Sequence, residues 1–329
     1  MRWLVIVIAF LLLPGAAGAR CAGVDLLPGL PEAERAGMVA RAEAVPFPRG
    51  NLWRAERGDA VLHVAGTFHI GDARMGPVMR GLAPLIEASA LVLVEVTEAE
   101  EAELQAQMVA DPGLGFITEP PTLRDLLDDE EWRLYAAEME ARGVPGFLAA
   151  RFRPWLAFTT LTIPACLMAG DGPPPGLDER VMTHARGVGV PVAPLEGAEV
   201  LFALFELFSA EEEMDILRAT LLQAELSEDV FATLAAAYFA GEHRLIWEFG
   251  RSWMPPAAAD LWPPERVGPL YDRMEELLLV RRNRAWMGAI LEAAEAGPVF
   301  VAVGAAHLSG HDGLLDLLAG EGFALTRLD

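Results

Sequence analysis

The sequence predicts a single α/β domain whose central sheet is mostly parallel and which carries a large helical insertion. Three observations lead there. The chain has a strand–helix–strand order near its start and another at its end, "PVFVAVG", "GLLDLLAGEG" and "FALTRL". Its short strands, "LVLVEV" at 91–96 above all, are apolar on both faces, as strands inside a covered parallel sheet are. From about 199 to 296 the pattern is helical almost throughout.

Taken in order, "MRWLVIVIAFLLLPGAAGA" has a positive start, a short apolar core and an Ala-Gly-Ala ending at Ala19. That predicts a cleaved secretory signal over 1–19 and a mature domain over 20–329, an uncleaved anchor being the alternative. In "NLWRAERGDAVLHVAG" two β-prone runs flank Gly58-Asp59, a hairpin leading into the first core strand. "PVMRGLAPLIEASA" has helical spacing, and acidic helices follow over 98–110 and 122–142. "FLAARFRPWLAFTTLTIPACLMAG" (147–170) predicts a more apolar helix ended by "DGPPPG". "LDERVMTHARGVG" is helical and "VPVAPLE" (190–196) predicts a third core strand. The helical middle has loops at Pro255-Pro256 and Pro263-Pro264, and no internal repeat appears. The first and last core strands are expected side by side, with ligands gathering beyond the strands' carboxyl ends.

The 329 residues are 53% hydrophobic, enough for a large core and too many for a disordered chain. A formal net charge of −23 excludes nucleic acid as a partner and repels anionic membrane faces. No stretch after the signal approaches about 18 uncharged apolar residues, so no further membrane span is expected. All 25 basic residues are arginine, which excludes lysine Schiff-base chemistry. The two cysteines, Cys21 and Cys166, are expected to pair in an oxidising compartment, periplasmic or extracellular; a thiol nucleophile at Cys166 is the alternative. Oligomeric state is not legible.

Two segments, "VLHVAGTFHIGD" and "VFVAVGAAHLSGHDG", end alike: an apolar run breaks at glycine and delivers a histidine three residues on. These are Gly66 to His69 and Gly304 to His307, in a chain with six histidines. The other two core strands end in Glu95 and Glu196. A carboxylate beside an apolar run is costly to bury unless paired, hydrogen-bonded or metal-bound. Two imidazoles and two carboxylates suit a divalent cation such as Zn²⁺, Mn²⁺ or Co²⁺. Gly66 and Gly304 are expected to let the chain turn sharply and keep the sheet edge uncrowded. The alternative is a set of satisfied loop histidines with no shared site.

Of the other histidines, His311 either joins His307 on a helical face or caps it, His63 and His184 read as structural, and His243 as surface. Asp178 reads as a helix N-cap. The arginine cluster "VRRNRAWM" is either a solvated ion-pairing face or the source of an arginine turned into a site, where it would bind a carboxylate or a developing oxyanion. No His-Glu-x-x-His, Gly-x-Ser-x-Gly, P-loop or dinucleotide motif is present.

In order, "VAGTFHIGDARM", "LVLVEV", "GLDERV…GVPVAPLE", "RRNRAW" and "VAVGAAHLSGHDGLLDLLAGEGFALTRL" resemble the TraB/GumN family, which includes the Tiki proteins, from about residue 50 to the end. The start "CAGVDLLPGLPEAERAGM" together with "IPAC" is similar to an exported bacterial subgroup with both cysteines. The resemblance implies a fold shared with erythromycin-esterase-like and heme-uptake ChaN-like proteins. It places His69, Glu95, Arg282 and His307 at signature positions, with Glu196 and Asp178 in supporting motifs. Asp72, Arg74 and Asn283 join Asp178 as candidate substrate-binding or supporting residues. Ala73 stands where the family's sequence after the first histidine has proline.

Tiki proteins are regarded as metal-dependent peptidases using the two Gly-x-x-His motifs and a glutamate. By resemblance, the expectation here is an exported metal-dependent hydrolase cutting a peptide bond or acting on a small-molecule substrate. His69, Glu95 and His307 would bind the metal, Glu95 or Glu196 would act as base, and Arg282 would face the oxyanion. One alternative is a non-catalytic envelope protein that binds peptide, heme or a polysaccharide-assembly partner. Another is an esterase-like hydrolase using His and Glu without metal.

Overall fold

The computed structural model describes residues 21–168, 172–198, 200, 208–253 and 264–329. The expected signal over 1–19 and the loop at Pro255-Pro256 lie outside the described residues. A hairpin opens the sheet: β1 (Leu52–Arg57) and β2 (Ala60–Thr67) pair antiparallel around Gly58, whose φ of +59° is the left-handed conformation that such a tight turn favours glycine to adopt. Helix α1 (Glu32–Glu43) precedes the hairpin, and helix α2 (Met75–Glu87) leads from it to β3 (Leu91–Val94). After α3 (Glu98–Ala110), α4 (Asp129–Ala141), α5 (Pro154–Leu161) and α6 (Leu177–Gly187) comes β4 (Val192–Pro194). The helical middle follows as α7 (Ala210–Gln223), α8 (Ser227–Phe239), α9 (His243–Ser252), α10 (Pro264–Glu275) and α11 (Arg281–Ala296). The chain closes with β5 (Val299–Gly304), α12 (Leu314–Gly320) and β6 (Ala324–Arg327).

The six strands form one mixed, mostly parallel sheet in the order β4-β3-β5-β2-β1-β6. β2 and β5 are parallel neighbours, Gly66 opposite Val303 and Thr67 opposite Gly304, as expected of the first and last core strands. β5 shows why the apolar runs carry no alternation. Val299, Val301 and Val303 pack with Trp286 and Ile290 of α11 and Leu314 and Leu318 of α12. Phe300 and Ala302 face the other way, onto Ile86 of α2 and Val181 of α6. Both faces are covered, so every residue of the strand is buried.

Three expectations need correction. The apolar stretch 147–170 is not one helix: the described part breaks into Gly146–Ala149, α5 and Ala165–Met168. Pro154 and Pro164 cause the breaks, because each lacks an amide proton and disfavours helical geometry in the residue before it. β4 is an edge strand rather than a core one; among the described residues it pairs only with β3, and its residues are half-buried or exposed. Nor is the helical insertion confined to the segment after β4. Met108 of α3, Tyr135 of α4 and Trp155 of α5 share a core with Leu217 and Leu221 of α7, so helices from both sides of β4 build one body.

The N-terminal arm is tied down. Cys21 and Cys166 form the expected disulfide, with Cα atoms 5.4 Å apart. The Ala22 and Val24 amides donate to Glu228 and Asp229 on the first turn of α8, each at 2.7 Å. Among the described residues no helix is long and apolar enough to cross a membrane.

Candidate functional site

Four parallel strands end at one edge of the sheet, and the chain places a polar side chain at or just beyond each end. Glu95 sits between Val94, the last residue of β3, and Thr97, which caps α3 in a reciprocal box with Glu100. Strand end and helix start thus leave Glu95 little freedom. Glu196 comes two residues after β4, and its amide donates to the Glu95 carbonyl at 3.2 Å, so the two glutamates are neighbours. His307 closes the single 3₁₀ turn Ala305–His307 that follows β5.

Arg282 joins these residues. Its Nε donates to Glu196 Oε2 at 2.9 Å, and its Nη2 to Glu196 Oε1 and Glu95 Oε2 at 2.5 Å each. Nη1 donates to the Leu278 carbonyl at 3.1 Å and lies 3.2 Å from His307 Nε2. Leu278 belongs to a π-helical stretch, Glu276–Val280, directly before α11; π-turns inside helices recur at functional sites. The arginine cluster therefore divides: Arg282 turns inward, while Arg281 and Arg284 pair with Glu276 and Asp312 at the surface.

Charge is balanced unevenly across the cluster. Burial pushes the His307 imidazole down to about 3, so it is neutral. Burial opposes ionisation of Glu95, yet the Arg282 guanidinium and a 2.6 Å hydrogen bond from the Gly304 amide hold its carboxyl well below the ordinary carboxylate range. Glu196 moves the other way, its burial outweighing the opposing pull of Arg282 and a 3.1 Å hydrogen bond from Trp286 Nε1. One glutamate is thus firmly an anion and its neighbour is closer to accepting a proton.

His69 lies at the mouth, with 47% of its side chain exposed and Nδ1 3.4 Å from Asp178 Oδ1. Its crowded setting works against the charged form, but the Asp178 and Glu95 carboxylates raise the imidazolium to about 9. Asp178 occupies the first turn of α6, where Gly176 is the N-cap; its expected capping role is replaced by contact with His69.

The two glycines serve the site by lacking a side chain rather than by turning the backbone. Gly66 lies within β2, and Gly304 has a φ of −50°, open to any residue. A Cβ on Gly66 would meet Leu308 Cδ1 at 2.8 Å and Ala305 Cα at 3.0 Å. One on Gly304 would lie 3.1 Å from His69 Nε2 and 3.2 Å from Glu95 Oε1. His69 and Glu95 therefore face a common gap, and His307 Nε2 is 3.8 Å from the same Glu95 oxygen.

That gap and its donors, two imidazoles and an ionised carboxylate, fit a divalent cation in kind. The cage is not preformed. Among the described residues, the one group of three donors within 4.8 Å of one another is Cys21, Cys166 and Glu228, and its sulfurs are already bonded to each other. His69, Glu95 and His307 would have to draw together, with Arg282 giving up its place beside His307.

The remaining candidates divide. Asn283 is buried against His307, its Oδ1 2.7 Å from Nδ1. Asp72 and Arg74 instead form a pair of their own, at 2.8 and 2.9 Å, with Arg74 stacked 4.2 Å over Phe239; no described hydrogen bond or ion pair joins them to Glu95, Arg282 or His307. His311 is exposed and His184 pairs with Glu87 at 3.1 Å. His243, expected at the surface, is 1% exposed, with Nε2 3.1 Å from the Phe47 carbonyl. Trp286 went unforeseen: besides bonding Glu196 it lies under Arg282 and 4.5 Å from the His307 ring. Its position one turn after Arg282 was the available signal.

Fold and site together define an α/β protein whose parallel strands bring histidines and glutamates to one sheet edge, where helix α11 adds an arginine. The TraB/PrgY/gumN family model matches residues 51–327, a span that holds every residue of this centre. The chain belongs to the TraB/PrgY/gumN family. No curated protein sequence matches it.

Proposed function

We propose that this protein is an exported, metal-dependent hydrolase acting on an acyl bond, a peptide bond first. The observation that carries the reading is that His69 and Glu95 face a common space beside Gly304, with His307 Nε2 3.8 Å from the same Glu95 oxygen. These three residues would hold the cation. A divalent cation in such a setting polarises a scissile carbonyl and makes water acidic near neutral pH. Glu196, whose carboxyl burial has pushed up, takes the proton from the attacking water. The Arg282 guanidinium offers fixed positive charge to the developing oxyanion, and Glu196 passes the proton it has taken on to the leaving group. Export rests on the composition of the first nineteen residues and on the Cys21–Cys166 disulfide, which an oxidising compartment sustains.

A second reading follows from Arg282 Nη1 lying 3.2 Å from His307 Nε2, beside the carboxylates a cation would need. In it, Arg282 is the resident cation and hydrolysis runs on His69 and the glutamates alone. Purification without chelators, metal analysis and assay against peptide and ester libraries separate the two. Stoichiometric metal that falls in His69→Ala and His307→Ala, with activity lost on chelation, supports the first. Activity that survives exhaustive chelation supports the second. Co-purified peptide or heme without turnover of any substrate would sink both.

A further inference from the structure

Asn283 has no charge and no route to solvent, yet it makes three polar contacts around His307. Its Oδ1 lies 2.7 Å from His307 Nδ1. Its Nδ2 donates to the His307 carbonyl at 3.2 Å and to the Asp312 carbonyl at 3.0 Å. The two carbonyls settle which way the amide points. Turning it over would set Oδ1 against two acceptors and leave the Nδ2 protons facing the ring, so the oxygen faces Nδ1. An amide oxygen can only accept, so Nδ1 must carry the proton.

The opposite side of the ring leads to the same result independently. His307 Nε2 lies 3.2 Å from Arg282 Nη1, and a guanidinium nitrogen can only donate. Nε2 is therefore the bare nitrogen, and it faces Arg282 and the Glu95 carboxylate. Trp286, 4.5 Å from the ring, and the buried surroundings of His307 restrict its rotation. The carbonyl bonds span the Ala305–His307 turn and the loop before α12, so the same amide also anchors the backbone that carries His307.

We infer that Asn283 is a positioning residue that locks His307 as the neutral Nδ1–H tautomer and so directs the Nε2 lone pair at Arg282, Glu95 and whatever occupies the space between them. The inference stands on hydrogen-bond chemistry alone and holds whether or not the centre binds a metal. It assigns a role to the residue after the signature arginine that proximity to substrate does not explain, since Asn283 is 1% exposed. It also separates the two histidines by function: His307 is a fixed lone-pair donor, whereas His69 is open to solvent and partnered by a carboxylate.

The test is the protonation pattern of the His307 ring in the full metal-free chain. Two-bond ¹H–¹⁵N correlation spectra of ¹⁵N-histidine-labelled protein at pH 7, with the resonances assigned by comparison with His307→Gln, distinguish the two nitrogens directly. The expected result is a single tautomer with Nδ1 protonated and Nε2 bare. A protonated Nε2, or a mixture of tautomers, overturns the inference with no variant needed. Asn283→Asp keeps an acceptor beside Nδ1 and is expected to keep the tautomer. Asn283→Leu removes it and is expected to lose the single Nδ1–H form. A folded Asn283→Leu that still shows only Nδ1–H would show that another group orients the ring. If that variant does not fold, Asn283→Ala withdraws the acceptor with less bulk, and the same two outcomes decide.

Discussion

The Arg282 guanidinium grips Glu196 through two nitrogens, Nε to Oε2 at 2.9 Å and Nη2 to Oε1 at 2.5 Å, with 12% and 4% of the two side chains exposed. A bidentate pair this enclosed ties α11 to the strand-end loop after β4, and its Nη2 also holds Glu95. Removing the cation strands two buried carboxylates. Arg282→Gln is therefore expected to lower unfolding stability by about 3–5 kcal/mol and to abolish hydrolysis. Urea denaturation measures the first. A loss below about 1 kcal/mol, the range of solvent-exposed ion pairs, would show that the pair is not sealed from water.

Gly304→Ala tests the gap beside β5. The new methyl would sit 3.1 Å from His69 Nε2 and 3.2 Å from Glu95 Oε1. Glu95 is held by Arg282 and by the Gly304 amide, so the half-exposed His69 is the side chain that yields. The expected outcome is near-native stability with a large drop in metal content and turnover. Unchanged metal binding and activity would mean that His69 and Glu95 do not act on a common ligand.

Gly66→Ala sets a different demand, because its neighbours are buried. A Cβ 2.8 Å from Leu308 and 3.0 Å from the Ala305 backbone overpacks the contact between β2 and the turn that delivers His307. A stability loss of roughly 1–3 kcal/mol is expected. Thermal unfolding compared with Gly304→Ala should separate the two glycines, one limiting packing and the other limiting the site.

His243 predicts a pH dependence of stability away from the centre. Burial pushes its imidazole down from the ordinary 6.5 to about 4. In the folded chain it stays neutral, accepting from or donating to its partners, while in the unfolded chain it protonates near 6.5. Since the unfolded state then binds the extra proton, stability is full above about pH 6.5 and falls as pH drops toward 4, by an amount on the order of 3 kcal/mol. Unfolding of the native chain and of His243→Gln at pH 7 and pH 4.5 isolates this residue. An equal loss in both proteins would remove the claim.

The disulfide closes a separation of 145 residues. In the chain-entropy account its reduction, or the paired Cys21→Ser and Cys166→Ser changes, should cost roughly 3–5 kcal/mol. Melting with and without reductant reads this directly; no shift would mean that the arm's contacts with α8 suffice.

Much of this centre was legible before any fold was known, because strands buried on both faces leave a distinct sequence trace. "LVLVEV" and "VFVAVG" stand out as apolar runs, and the first polar residue at each end is forced to the sheet edge. That rule sets Glu95, Glu196 and His307 at strand ends, and His69 lies two residues past Thr67, where β2 ends. His243 was misread because nothing in "GEHRLIWE" marks burial; its partners, Phe47 and Asn51, lie nearly two hundred residues away. The break of 147–170 at its prolines was a local signal that apolar composition outweighed.

By itself the sequence determined the α/β class, the hairpin at Gly58, the strand-end residues and the cysteine pair, all features set by local chemistry or by residue count. Only the tertiary structure decided that Arg282, and not Arg281 or Arg284, turns inward, and that Asp72 and Arg74 satisfy each other. It alone placed Asn283 and Trp286 around His307. The physical reason is the same in each case. Which face of a helix meets a sheet edge depends on how whole elements pack, and a polar group's role follows from the partner that packing brings within about 3 Å.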